Sequence, residues 1–196
     1  MEQNLEVFRT ATEYLDRGVC AVDLAGDEAS YPASQFTDLF AEARALGIPF
    51  TIHAGECHST ENVRTSIEMG AKRIGHGIAM KEDPELMKLA AERDVGIEMC
   101  PCSNFQTKAV QEGEEYPLAL FWEQGLLVTV NTDNRTVSQT SETRELKMAL
   151  ELMEASQKPV EDEKTFCRKL MENSIRTAFL PEEEKERLRH ILGKFS

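Results

Sequence analysis

Nowhere in its 196 residues does this chain carry an apolar run near the roughly 20 residues that a membrane span needs. Its first eighteen residues, MEQNLEVFRTATEYLDRG, are polar and mixed in charge, which is not the pattern of a signal peptide. Basic residues are scarce: 22 Lys and Arg stand against 35 Asp and Glu, for a net charge of -13. That deficit argues against a nucleic-acid or anionic-membrane surface, both of which need clustered cations. The five cysteines are odd in number and mostly in apolar surroundings, so a disulfide framework is not expected and a reducing cytoplasm is. Histidine is rarer still, with His53, His58, His76 and His190 the whole supply.

What is present is a pattern repeated five times: a short apolar or β-branched run, a polar or glycine-rich corner, then an amphipathic helix. The runs are VCAVDLAG from Val19, PFTIHAGE from Pro49, KRIGHG from Lys72, VGIEMCPCSN from Val95 and LLVTVNTDN from Leu126. Their starts lie about 23 to 31 residues apart, the length of a strand plus a crossover helix. Ser34 precedes a helical stripe ended by Gly47, Thr60 is placed to cap a helix ended by Gly70, and Asp83-Pro84 reads as a cap and first turn. Strands alternating with helices imply a parallel sheet, here with strands apolar enough to be covered on both faces. The expected division is a leading helix over 1–18, five strand-helix units over 19–139 and C-terminal helices over 140–196.

Polar residues gather where the runs end: Asp23 and Gly26, His53 and Glu56, His76, Ser103 and Asn104, Asp133 and Asn134. In parallel α/β folds those ends share one face, and that face carries the ligand site. His53 and Asp133 are plausible zinc ligands, an imidazole and a carboxylate. Glu56 and His76 would then be acid-base groups beside the metal, with Gly26 and Gly55 letting a planar ligand approach the backbone. Taken singly each residue has a plainer role: Glu56 as a helix cap, Asp133-Asn134 as turn chemistry, Cys100 and Cys102 as packing, His58 and His190 as surface. The zinc deaminases that use His-x-Glu with Pro-Cys-x-x-Cys are excluded, because here the spacing is His53-Ala-Gly-Glu56 and Phe105 stands where the last cysteine is required.

Read together, DLAGDE (Asp23–Glu28), HAGE (His53–Glu56), RIGHG (Arg73–Gly77), EMCPCSN (Glu98–Asn104) and VNTDN (Val130–Asn134), with ENSIRTAFL following, resemble the adenosine deaminase family of zinc-dependent (β/α)8 barrels. The resemblance implies hydrolytic deamination of adenosine to inosine and ammonia. It implies His53 as a zinc ligand, Asp133 as a ligand that also binds the attacking water, and Glu56 as proton donor to the purine ring. His76 would orient or deprotonate that water, Gly26 would meet the purine edge through its backbone, and Asn134 would contact the imidazole side of the purine.

Two departures carry weight. Asn134 stands where many members have a second aspartate, and its amide can still donate a hydrogen bond. The family's His-x-His pair, which supplies two more zinc ligands, has no counterpart here. The motifs correspond to strands four to eight, so the expected fold is an incomplete (β/α)8 barrel with unpaired edges. A complementary N-terminal chain or self-association is the expected partner besides the purine nucleoside. The alternatives are a non-catalytic fragment or half of a split enzyme, and an adenine deaminase or other amidohydrolase-type metal hydrolase.

Overall fold

The structure, a computed structural model, describes residues 2–15, 17–160 and 162–194. Met1 and Asp16 of the expected leading segment, and Phe195 and Ser196 of the expected last helix, lie outside the described residues. The chain opens with α1 (Glu2–Tyr14) and then alternates strand and helix. β1 (Val22–Leu24) leads through a 3-10 turn (Ala33–Phe36) into α2 (Thr37–Ala45), and β2 (Phe50–Ala54) precedes α3 (Thr60–Glu68). β3 (Arg73–His76) leads through a second 3-10 turn (Ile78–Glu82) into α4 (Pro84–Glu92), and β4 (Gly96–Met99) precedes α5 (Pro101–Gln106) and α6 (Leu118–Glu123). After β5 (Leu127–Val130) come α7 (Arg135–Ser138), α8 (Glu142–Ala155), α9 (Glu163–Thr177) and α10 (Glu182–Gly193).

All four strand pairings are parallel and join neighbours in chain order, β1 to β5. This is an incomplete (β/α)8 arrangement: an α/β arc of five units in which, among the described residues, β1 and β5 each have one strand partner. Register fixes which side chains share a face. Ile52, Ile74, Ile97 and Val128 stand in one row, each with no exposed surface, and form the centre of the core under the helices. Burying each such side chain stabilises the fold by about 1.5–3 kcal/mol.

The opposite face is not apolar, contrary to the continuous hydrophobicity expected from the runs. It carries Asp23, Thr51, Arg73 and, one step on, His53, Glu98 and Thr129. Thr51 donates to Glu98 at 3.1 Å, Arg73 pairs with Glu98, and the Arg73 guanidinium lies 4.1 Å from the centre of the Phe179 ring. The period-2 alternation is therefore real but masked, because threonine is β-branched and the five strands hold a single arginine, Arg73 in β3, and a single glutamate, Glu98 in β4.

Local chemistry explains the element ends. Asp83 caps α4 by accepting from the Leu86 N–H, with Pro84 in the first turn. Gly47 and Gly70 follow α2 and α3 at φ +70° and +98°, as expected of stops. Two expected caps differ. Ser59, not Thr60, caps α3, and Ser34 lies inside the 3-10 turn while α2 begins without a side-chain cap. Adjacent hydroxyls at 59 and 60 make that choice ambiguous from sequence alone. Cys100 to Asn104, placed with the fourth strand by the sequence, instead turn into α5, since Pro101 has no N–H for a ladder and fits a first helical turn.

Candidate active site

The C-terminal ends of the strands bring the candidate residues to one rim. His53 is the fourth residue of β2 and lies opposite Gly75 of β3. A Cβ at Gly75 would sit 3.2 Å from His53 Cγ, so the glycine before His76 makes room for the neighbouring imidazole. His76 ends β3 with its ring centre 5.1 Å from that of His53. It is itself at φ +67°, and Asp133, just beyond β5, is at φ +51°. Non-glycine residues rarely adopt that region, and such strain clusters at working sites.

Each candidate has defined partners. The Asp23 carboxylate meets His53 Nδ1 at 3.0 Å. Glu56 Oε1 accepts from the Thr107 hydroxyl at 2.8 Å, and Glu56 Oε2 lies 3.7 Å from His76 Nε2. Ser103 donates to Asp133 Oδ2 at 2.6 Å, and Asn104 contacts His76 Nδ1 at 2.9 Å. Asn134 caps α7, its oxygen accepting from the Thr136 and Val137 N–H groups, so its side-chain NH2 remains the end available for donation.

Glu28 is the residue whose role the sequence did not disclose. Its carboxylate accepts from three successive backbone N–H groups, those of Gly55, Glu56 and Cys57, at 2.6, 3.0 and 3.2 Å. It also accepts from the Asn62 amide at 2.7 Å, and Asn62 in turn holds the Ala33 N–H. The loop bearing Glu56 is thereby fixed by an internal anion. Glu56 does not cap α3, since Ser59 does. Thr107, Asn104 and Tyr116 also act here without having been assigned a role.

A cavity of about 300 Å³ opens beside the rim, lined by Asp23, Gly26, Asp27, Glu28, His53 and Asn62 among others. Gly26 stands on its wall at φ +148° with nothing near the position a Cβ would take. Among the described residues, no Lys or Arg lines this cavity. Glu56, His76, Asp133 and Asn134 lie on the rim outside it, reached through His53. His58 and His190 are exposed, in agreement with the surface role expected.

The rim donors suit a zinc ion in part. His53 suits an imidazole ligand, because a carboxylate on Nδ1 orients the ring, the usual support for a ligating histidine. Asp133 is near enough to act on His53 electrostatically. Among the described residues, however, no three His, Cys, Asp or Glu side chains come together as a metal-binding group. Catalytic zinc needs about three protein ligands, so these residues fit one side of a zinc site and do not make a whole one. Burial pushes the Cys100 thiol up, far from thiolate character, so Cys100 is no substitute.

The two rim histidines are shifted in opposite directions. The hydrogen bond that Asp23 accepts from the His53 ring raises the His53 pKa above the ordinary 6.5 against the opposing effect of burial. Desolvation lowers that of His76, with the nearby Glu56 charge opposing. His53 thus stabilises the fold below pH 6.5, and this is lost as pH rises through its raised pKa. His76 stabilises it above pH 6.5, and this is lost as pH falls toward its depressed pKa. Ring NMR titration is expected to show His53 protonating at higher pH than His76, with Asp23→Asn bringing His53 down. The reverse order would remove this account of the rim.

Comparison with known proteins follows the same lines. The family model for adenosine deaminase matches residues 1–194. The adenosine deaminase of Enterococcus faecalis is 43% identical over 183 residues, covering 93% of this chain and 52% of that protein. The apo N6-methyl-AMP deaminase of Arabidopsis thaliana superposes with a TM-score of 0.85 at 25% identity, covering 100% of this chain and 55% of that one. A zinc-bound amidohydrolase of Burkholderia ambifaria superposes at 0.82 and 22% identity, covering 98% and 52%. The chain spans about half the length of the curated relatives it matches.

Proposed function

The chain belongs to the adenosine deaminase family, and on that premise we propose that it supplies the acid-base groups and one side of the zinc site for hydrolytic deamination of adenosine to inosine and ammonia. The observation that carries this is the rim itself: Glu56 Oε2 at 3.7 Å from His76 Nε2, beside an imidazole oriented by a carboxylate. Zinc, when bound, makes hydroxide available near neutral pH. Glu56 is placed to donate a proton to the ring nitrogen as oxygen adds to the amine-bearing carbon, while its other carboxyl oxygen accepts from the Thr107 hydroxyl. His53 and Asp133 would hold the metal from this side. A His-x-His pair from outside these 196 residues, covalently joined or from another chain, completes the set.

A neutral nucleoside is favoured over a nucleotide. The cavity wall carries Asp23, Asp27 and Glu28 with no cation, and the loop amides that could cradle a phosphate are already occupied by Glu28. The second reading, an inert fragment or half of a split enzyme, rests on the two-donor count. Purified chain dialysed against metal-free buffer is expected to retain well under one zinc. A complementary segment carrying His-x-His is expected to bring retention to about one per assembly, with release of inosine from adenosine and little turnover of adenine or AMP. Full zinc retention without deamination would overturn the proposed activity. Preferred turnover of adenine or AMP would overturn the substrate.

A further inference from the structure

Three buried groups behind the rim determine something the rim geometry alone does not. Asn104 has no exposed surface, and Tyr116 and His76 are each 2% exposed. The Tyr116 hydroxyl meets Asn104 Oδ1 at 2.9 Å, and Asn104 Nδ2 meets His76 Nδ1 at 2.9 Å. We propose that Tyr116 and Asn104 form a hydrogen-bond chain that decides which nitrogen of His76 carries the hydrogen, leaving Nδ1 bare and presenting Nε2–H to the rim.

A side-chain amide has one donor end and one acceptor end of nearly the same shape, so its neighbours decide its orientation. Tyr116 is the deciding neighbour. Burial pushes its pKa well up, so it keeps its hydrogen. The phenol hydrogen then needs an acceptor, and Asn104 Oδ1 is the one in place. With the amide reversed, its NH2 would donate to the phenol oxygen and the buried O–H would be left without an acceptor among the described residues, a costly arrangement.

Asn104 therefore turns its NH2 toward His76 Nδ1, which must offer a lone pair. A neutral imidazole has one such nitrogen, so the hydrogen resides on Nε2. The Nε2 side faces the rim, 3.7 Å from Glu56 Oε2.

The consequence concerns the role of His76. With hydrogen on Nε2 it has no lone pair toward the rim and cannot serve as a base there. It donates a hydrogen bond to an oxygen held at the rim, which selects orientation of the water over its deprotonation. That consequence rests on the proposed deaminase reading, whereas the position of the hydrogen does not. Asn104 and Tyr116 are positioning residues and touch no reacting atom.

The test uses the 196-residue chain labelled with 15N in histidine. Long-range ring proton-nitrogen correlations are recorded above the pH at which His76 titrates, with and without added zinc. The expected pattern for His76 is hydrogen on Nε2 in both. Asn104→Asp sets a carboxylate against Nδ1 and is expected to move the hydrogen there. Tyr116→Phe frees the amide to reverse and is expected to give a mixed pattern. Backbone amide spectra and melting curves confirm that each variant is folded. Hydrogen on Nδ1 in the parent chain overturns the proposal, and so does an unchanged Nε2 pattern in folded Asn104→Asp. Should that variant not fold, an unchanged pattern in Tyr116→Phe overturns it as well. Because no turnover is needed, the result is separate from the fate of the proposed activity.

Discussion

Gly55→Ala is expected to destabilise the folded chain by about 2–5 kcal/mol, combining about 1–2 for a left-handed non-glycine residue with about 1–3 for overpacking. Gly55 sits at φ +81°, and a Cβ there would come within 2.7 Å of Val63 Cγ2 and 3.3 Å of the Ala79 nitrogen. Neither neighbour can yield easily. Val63 is fully buried, and the Ala79 N–H is tied to the Gly55 carbonyl at 2.9 Å. The same substitution would strain the amide that Glu28 holds, so the loop carrying Glu56 is expected to loosen before the sheet does. Urea unfolding of the chain measures the loss. A change below about 1 kcal/mol would mean that the β2–α3 corner is softer than its contacts imply.

Glu56→Gln is expected to lower deamination by the completed, zinc-loaded site about 10²–10⁴-fold, the usual contribution of a positioned general acid. That corresponds to about 2.7–5.5 kcal/mol in the barrier. Glutamine keeps the shape of glutamate, and its carbonyl can still accept from the Thr107 hydroxyl. What it cannot do is deliver a carboxyl proton to a ring nitrogen. The loss is therefore expected in kcat with little change in KM, and with the melting temperature close to that of the parent. Retention of more than a tenth of the activity would sink Glu56 as the proton donor.

The five strand-helix units were legible because β-branched runs, glycine stops and the Asp83-Pro84 cap are short-range signals. The polar strand ends were legible for the same reason, and topology then carried His53, Glu56, His76 and Asp133 to one rim. What stayed hidden depends on pairs far apart in the chain. Glu28 was quoted within DLAGDE, yet its grip on the amides 27 to 29 residues later follows from how the β1 loop lies over the β2 corner. Thr107 reaches Glu56 across 51 positions. Tyr116 sits in a glutamate- and glycine-rich stretch that reads as surface, yet it is buried against Asn104. Nor does sequence assign Gly75, whose missing side chain is the space for the His53 ring.

The edge of β1 lies beside a groove lined by Val7, Ala11, Tyr14, Val19 and Val22, with Val7 and Tyr14 exposed. Backbone groups at such an edge bind another strand only in the folded state. Linkage then makes any occupant a stabiliser by RT ln(1 + [L]/Kd), about 2.7 kcal/mol when the free partner stands at 100 times its dissociation constant. The melting point of this chain is accordingly a titratable quantity: it rises with the concentration of whatever lays a strand along β1, and a dilution series reads that affinity without any assay of catalysis.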